Sequence, residues 1–237
     1  SDQANCEVCV ACNMLELTRM LSQYEPENAA CMDYYERTLY NQILPSQNPA
    51  STVHYGISRW IPIHPGGRRE YGGDYNSVTG CHSMGMQAHL GYQQAAYSKT
   101  GEALYVNLYL PSSVAWQEKG IKVTQETEFP SETTRLSISA LPEMEAQGIQ
   151  LKLRVPYWAT EGFAVKVNGK DVEEPAEAAT YLTLEHIQAG DVVEIKMPWT
   201  AHLDKTPDNI GSSTVASVMY GPFVMAVRNN SRDWLTL

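Results

Sequence analysis

From Cys12 onward, the apolar positions Leu15, Leu17, Met20 and Leu21 are read at helical spacing, with Glu16 and Arg19 on the other side. That predicts a first helix, broken at Glu25-Pro26-Glu27-Asn28. A proline cannot sit in a helix interior and holds the preceding residue extended. A second helix is predicted over 29–44, with Tyr35, Leu39, Tyr40 and Ile43 on one face and Pro45 as its stop. Residues 46–80 have no period and carry two glycine pairs, Gly66-Gly67 and Gly72-Gly73. So long an irregular stretch is uncommon and usually functional. A third helix is predicted over 83–97, ending near Thr100-Gly101.

Beyond Gly101 the period changes to two. Residues 103–110, 121–127, 134–140 and 150–155 read as strands. Residues 165–170 contain Asn168-Gly169, a strong hairpin signal. Further strands are predicted over 181–184, 192–197 and 215–227. Short strands at regular spacing indicate a β-sandwich. The predicted fold is therefore mixed α and β and multidomain, with a helical domain over 1–101 and sandwich over 102–237.

The net charge of −10 argues against a nucleic-acid partner, which needs a basic surface. No run approaches the roughly twenty apolar residues of a membrane-spanning helix. Tyrosine and tryptophan outnumber phenylalanine, which suits sugar surfaces and sandwich cores alike. The five cysteines are odd in number, and Cys6, Cys9 and Cys12 fall within seven residues. That is not a secreted disulfide framework, so ligation or catalysis is the more natural use. The chain opens on Ser1 with no leader-like segment behind it, so localisation cannot be read from its start.

The Cys6-x2-Cys9-x2-Cys12 run is not an iron–sulfur motif, because Glu16 stands near where a fourth cysteine and a proline would be needed. Glu7 and Cys9 read better as one side of a zinc site, since zinc takes both thiolate sulfur and carboxylate oxygen. Cys81, just before the third helix, is the natural remote ligand. The same cysteines could equally be small buried hydrophobes. His64 and His89 are candidates for a pocket or for structural roles, and Arg68-Arg69 for an acidic sugar or a solvated turn. Asn229-Asn230-Ser231 fits the glycosylation pattern.

Several segments together resemble glycoside hydrolase families 127 and 146, the β-L-arabinofuranosidase group. They are Glu7-Val8-Cys9-Val10-Ala11-Cys12-Asn13-Met14-Leu15, Asp33-Tyr34-Tyr35-Glu36-Arg37, Ala103-Leu104-Tyr105-Val106-Asn107-Leu108 and Met219-Tyr220-Gly221-Pro222. The resemblance implies the last helices of an (α/α)6 barrel followed by β-sandwich. It also implies a retaining glycosidase with zinc as cofactor, an oligosaccharide or polysaccharide of plant cell walls as substrate, and a bacterial, secreted or periplasmic setting. In that family zinc is held by a Glu, the Cys two residues on, and two consecutive Cys, the first of which is the nucleophile. Carried over, Glu7 and Cys9 become ligands and Glu36 contacts sugar hydroxyls.

The pair of consecutive cysteines is incomplete here. Aligned without a gap, Cys81 is the second of the pair and Gly80 replaces the nucleophile. Shifted by one residue, Cys81 becomes the catalytic nucleophile and ligand, with His82 as the fourth ligand. The resemblance also implies an acid/base Glu upstream of Glu7 and more helices than this chain supplies, so a piece of a larger enzyme is expected. The rival readings are a carbohydrate-binding homologue without a nucleophile and a purely structural sandwich.

Overall fold

A computed structural model describes residues 5–50, 56–73, 79–227 and 232–235. Asn229-Asn230-Ser231 lies outside them. The chain divides into two compact units, one of Ser1–Met20, Tyr34–Tyr92 and Leu203–Leu237, the other of Leu21–Asp33 and Gln93–His202.

Along the chain, β1 (Asn5–Glu7) runs directly into α1 (Val8–Tyr24), which belongs to the first unit as far as Met20. After a turn comes α2 (Ala29–Thr38), extended by a π-helical turn at Leu39–Ile43 and a 3-10 turn at Leu44–Ser46. Within the irregular stretch, β2 (Trp60–Pro62) pairs antiparallel with β1, Glu7 opposite Trp60. Helix α3 spans Gly80–Gly91. The predicted apolar face of α1 is corrected. Its buried stripe is Val8, Ala11, Cys12, Leu15 and Thr18, while Leu17, Met20 and Leu21 are 47%, 49% and 50% exposed. Residues two apart on a helix point about 200° apart, so Leu15 and Leu17 cannot share a face. The phase is set at the helix start, where the Val8 N–H donates to the Arg59 carbonyl at 3.0 Å.

Gly85 fixes how α3 packs in this unit. A Cβ there would lie 2.6 Å from Ile57 Cγ2 and 3.7 Å from the Val8 methyls, so only glycine admits both neighbours.

The second unit carries β3 (Tyr97–Thr100), β4 (Ala103–Val106), β5 (Ser112–Trp116), β6 (Ile121–Glu126) and β7 (Thr133–Ala140). It continues with β8 (Ile149–Val155), β9 (Ala164–Val167), β10 (Lys170–Asp171), β11 (Thr180–Ile187) and β12 (Val192–Lys196). Six strands form one sheet in the order β10-β9-β12-β7-β6-β5, and four form another in the order β11-β8-β4-β3. One hydrophobic cluster draws on both, with Val123, Leu136 and Ile195 from the first and Leu104, Leu151 and Leu153 from the second. Asn168 and Gly169 have φ of 51° and 77°, the positive pair a type I′ hairpin requires. The third helix was predicted to reach residue 97, but it gives way to a 3-10 turn at Tyr92–Ala95 and then to β3.

The remaining strands, β13 (Ala201–Ile210), β14 (Ser213–Tyr220) and β15 (Phe223–Val224), form a three-stranded sheet in that order. In the first unit Asn41 grips its end: Nδ2 donates to the Pro222 carbonyl at 2.9 Å and Oδ1 accepts the Val224 N–H at 2.8 Å.

Candidate functional site

Glu7 closes β1, Cys9 sits in the first turn of α1, and Cys81 is the second residue of α3. Short antiparallel pairing with β2 directs the first two, and the glycine contact at Gly85 seats the helix that carries the third. One carboxylate oxygen of Glu7 and the two sulfurs lie within 4.8 Å of one another. Cys9 Sγ is 3.7 Å from Glu7 Oε2. Zinc bonds of about 2.3 Å to sulfur and about 2.1 Å to oxygen at tetrahedral angles give a ligand edge of about 3.6 Å. The donor set, two thiols and a carboxylate, therefore fits a thiophilic divalent cation.

Electrostatics agree with that fit. Burial, with the neighbouring Cys81 thiol and the Glu7 carboxylate, pushes the Cys9 thiol up to about 12. A Cys9 thiolate is thus costly there without a nearby cation. Arg59 supplies one positive group, its NH2 donating to Glu7 Oε1 at 2.9 Å.

The other cysteines stand apart from this group. Cys12 is buried, donates to the Met84 carbonyl at 3.4 Å, and is pushed up to about 11 by burial. Cys6 faces the Gln42 side chain, 3.8 Å away. None of the five is in a disulfide.

His82 does not join the three. It is buried, and its Nδ1 lies 2.7 Å from Thr79 Oγ1. Successive residues on a helix point about 100° apart, so with α3 already begun at Gly80, Cys81 and His82 face different ways. Glu36 is only 2% exposed, and Arg37 pairs with Asp204 rather than with it. A glutamate so enclosed is not a solvated helix face. His89 Nε2 lies 3.3 Å from Ser46 Oγ, a packing role, and Arg69 is a loop anchor that donates to the Pro45 carbonyl. His64 and Arg68 are exposed.

The sequence reading missed Arg59. Nothing in the irregular stretch marks it, and only the β1–β2 register brings it to Glu7.

The chain is similar to known proteins over most of its length. The domain model described as β-L-arabinofuranosidase, GH127 catalytic domain, matches residues 1–94, and the GH127 middle domain matches residues 103–199. Among solved structures, a GH127 β-L-arabinofuranosidase from Geobacillus stearothermophilus superposes with a TM-score of 0.72 at 25% identity, over 94% of this chain and 36% of its own. A GH127 β-arabinofuranosidase gives 0.76 at 23% identity, over 92% and 36% of the two chains. A protein described as a glycoside hydrolase gives 0.74 at 24%, over 92% and 37%. The chain thus spans little more than a third of the length of the structures it matches. Among curated proteins none matches it. With both domain models falling in order along the sequence, the chain belongs to the β-L-arabinofuranosidase family, glycoside hydrolase family 127.

Proposed function

We propose that this chain carries the metal-binding part of a retaining glycoside hydrolase that removes L-arabinofuranose, or a related sugar, from plant cell-wall glycans. The observation that carries this reading is the convergence of Glu7, Cys9 and Cys81 from two remote segments. A zinc ion held by these three residues would supply the positive charge that keeps both sulfurs as thiolates. Cys81 Sγ, the assigned nucleophile, attacks the anomeric carbon, forming a C–S bond as the glycosidic C–O bond breaks. A carboxylic acid, not assigned to a residue of this sequence, protonates the departing oxygen. Water then displaces the sulfur, and the second inversion restores the starting configuration. Glu36 is assigned to sugar hydroxyls.

The substrate class rests on family membership, because a fold does not fix function. Helices α1–α3 are read as the closing helices of an (α/α)6 barrel and the two large sheets as a β-sandwich, a reading supported by the likeness to family 127 structures. A secreted or periplasmic setting is proposed with it, the metal shielding two of the free thiols from oxidation.

Gly80 favours a second reading, a carbohydrate-binding homologue that has lost its nucleophile. It stands where the ungapped alignment puts the family's first cysteine, and a Cβ there would meet nothing within 4 Å. Hydrolysis of an aryl β-L-arabinofuranoside by wild type, Cys81→Ala and Gly80→Cys separates the two, with intact-protein mass reporting any glycosyl adduct. Activity in wild type, lost with the adduct in Cys81→Ala, supports the enzyme with Cys81 as nucleophile. An inactive wild type that gains activity in Gly80→Cys supports the binding homologue. Neither turnover nor sugar affinity in any variant contradicts both.

A further inference from the structure

Glu7 divides its two carboxylate oxygens between different neighbours. Oε2 faces Cys9 Sγ at 3.7 Å, whereas Oε1 accepts from Arg59 NH2 at 2.9 Å. The Cζ of Arg59 lies over the Trp60 ring, 4.8 Å from the centroid, and its Nε is buried with no hydrogen-bond partner among the described residues. Backbone pairing sets this arrangement, because the Arg59 carbonyl accepts from Val8 N–H and Trp60 lies opposite Glu7.

Charge gives the arrangement a purpose. A carboxylate and two thiolates carry three negative charges, one more than a divalent ion cancels, and a single guanidinium makes the set neutral. A guanidinium also presents a planar fork, which fixes the direction of the carboxylate it holds and not merely its charge.

We infer that Arg59 is a positioning residue for the metal site: it holds Glu7 Oε1, leaves Oε2 to face the ion, and balances the surplus charge of the ligand set. This inference rests on the metal-site reading above, and partners in this outer position commonly change metal affinity about 10–100-fold.

The test is zinc affinity of the full chain by competition with a chromogenic chelator, for wild type, Arg59→Met and Arg59→Lys. Each is also loaded with cobalt(II), whose absorption reports thiolate ligation and tetrahedral geometry. Arg59→Met should bind zinc about 10–100-fold more weakly and show an altered cobalt spectrum at saturation. Arg59→Lys, which restores charge without the fork, should recover only part of the affinity. Wild-type affinity and spectrum in Arg59→Met overturn the inference while leaving the metal reading standing. Absence of zinc and cobalt binding in folded wild type overturns the metal reading and this inference with it. Should Arg59→Met not fold, Arg59→Lys decides: a loss of affinity supports the positioning role, and affinity equal to wild type overturns it.

Discussion

At the scale of single residues, two glycines on α3 have opposite meanings. Gly85 is the contact point of the helix, with Ile57 Cγ2 2.6 Å from where a Cβ would sit. Gly85→Ala should therefore cost about 1–3 kcal/mol through overpacking. Gly80 faces open space, so Gly80→Ala should be neutral or slightly stabilising. Chemical denaturation of the two variants side by side checks the contrast, and equal losses would contradict the packing described. The residues of the cluster were unequally legible. Glu7 and Cys9 could be picked out because a carboxylate and a thiol two apart is a local pattern, and Cys81 because it is a lone cysteine at the end of the irregular stretch, although it proves to lie inside α3 rather than before it. His82 looked eligible by chemistry alone, and the turn of α3 keeps it out of the group. Arg59 had no local signal, since its place depends on a pairing across half a hundred residues of chain.

Among elements, α2 meets β8 through a buried ion pair whose two residues, Asp33 and Arg154, both belong to the second unit. Arg154 on β8 is fully buried and bridges to Asp33 on α2, while its Nε donates to the Asn107 carbonyl at 2.6 Å. Asp33 also accepts the Tyr157 N–H at 3.2 Å. Removing one partner of a buried pair strands the other charge, so Asp33→Asn should destabilise by about 3–5 kcal/mol. Urea denaturation measures this, and a loss below about 1 kcal/mol, as surface pairs give, would contradict it. On α3, burial holds the His89 imidazole below its ordinary range, against the opposing effect of a hydrogen bond that the ring donates to the Ile43 carbonyl. The unfolded chain therefore takes up the proton first. The stability contributed by neutral His89 is complete above about pH 6.5 and is lost as the pH falls below it. The denaturation midpoint should climb between pH 5 and 7 in wild type and climb less in His89→Gln; identical slopes would assign the climb to other groups.

The elements themselves were legible in proportion to how local their causes are. The Asn168-Gly169 hairpin and the alternating β8 follow from backbone and burial rules that act over a few residues. Strand β13 was missed because Pro207 and its charges argue against a strand interior. It is an edge of its sheet, the place where prolines are tolerated in strands. The apolar run at 215–227 reads as one strand, but Gly221, at φ 53°, turns the chain and makes it two, β14 and β15.

For the whole molecule, the order of helices before strands could be seen in the change of period near Gly101, and two domain models fall on either side of it. What could not be seen was the return of Leu203–Leu237 to the first unit. That depends on Asn41 and on the Arg37–Asp204 pair, contacts between residues more than a hundred and sixty positions apart. The central claim about the molecule is that Glu7, Cys9 and Cys81 form one metal site. Zinc content per chain, measured on wild type, Cys9→Ala and Cys81→Ala by elemental analysis, tests it most directly. About one zinc per chain in wild type, lost in both variants while the fold persists, is the predicted result. A folded wild type without zinc, or variants that keep it, would contradict the account.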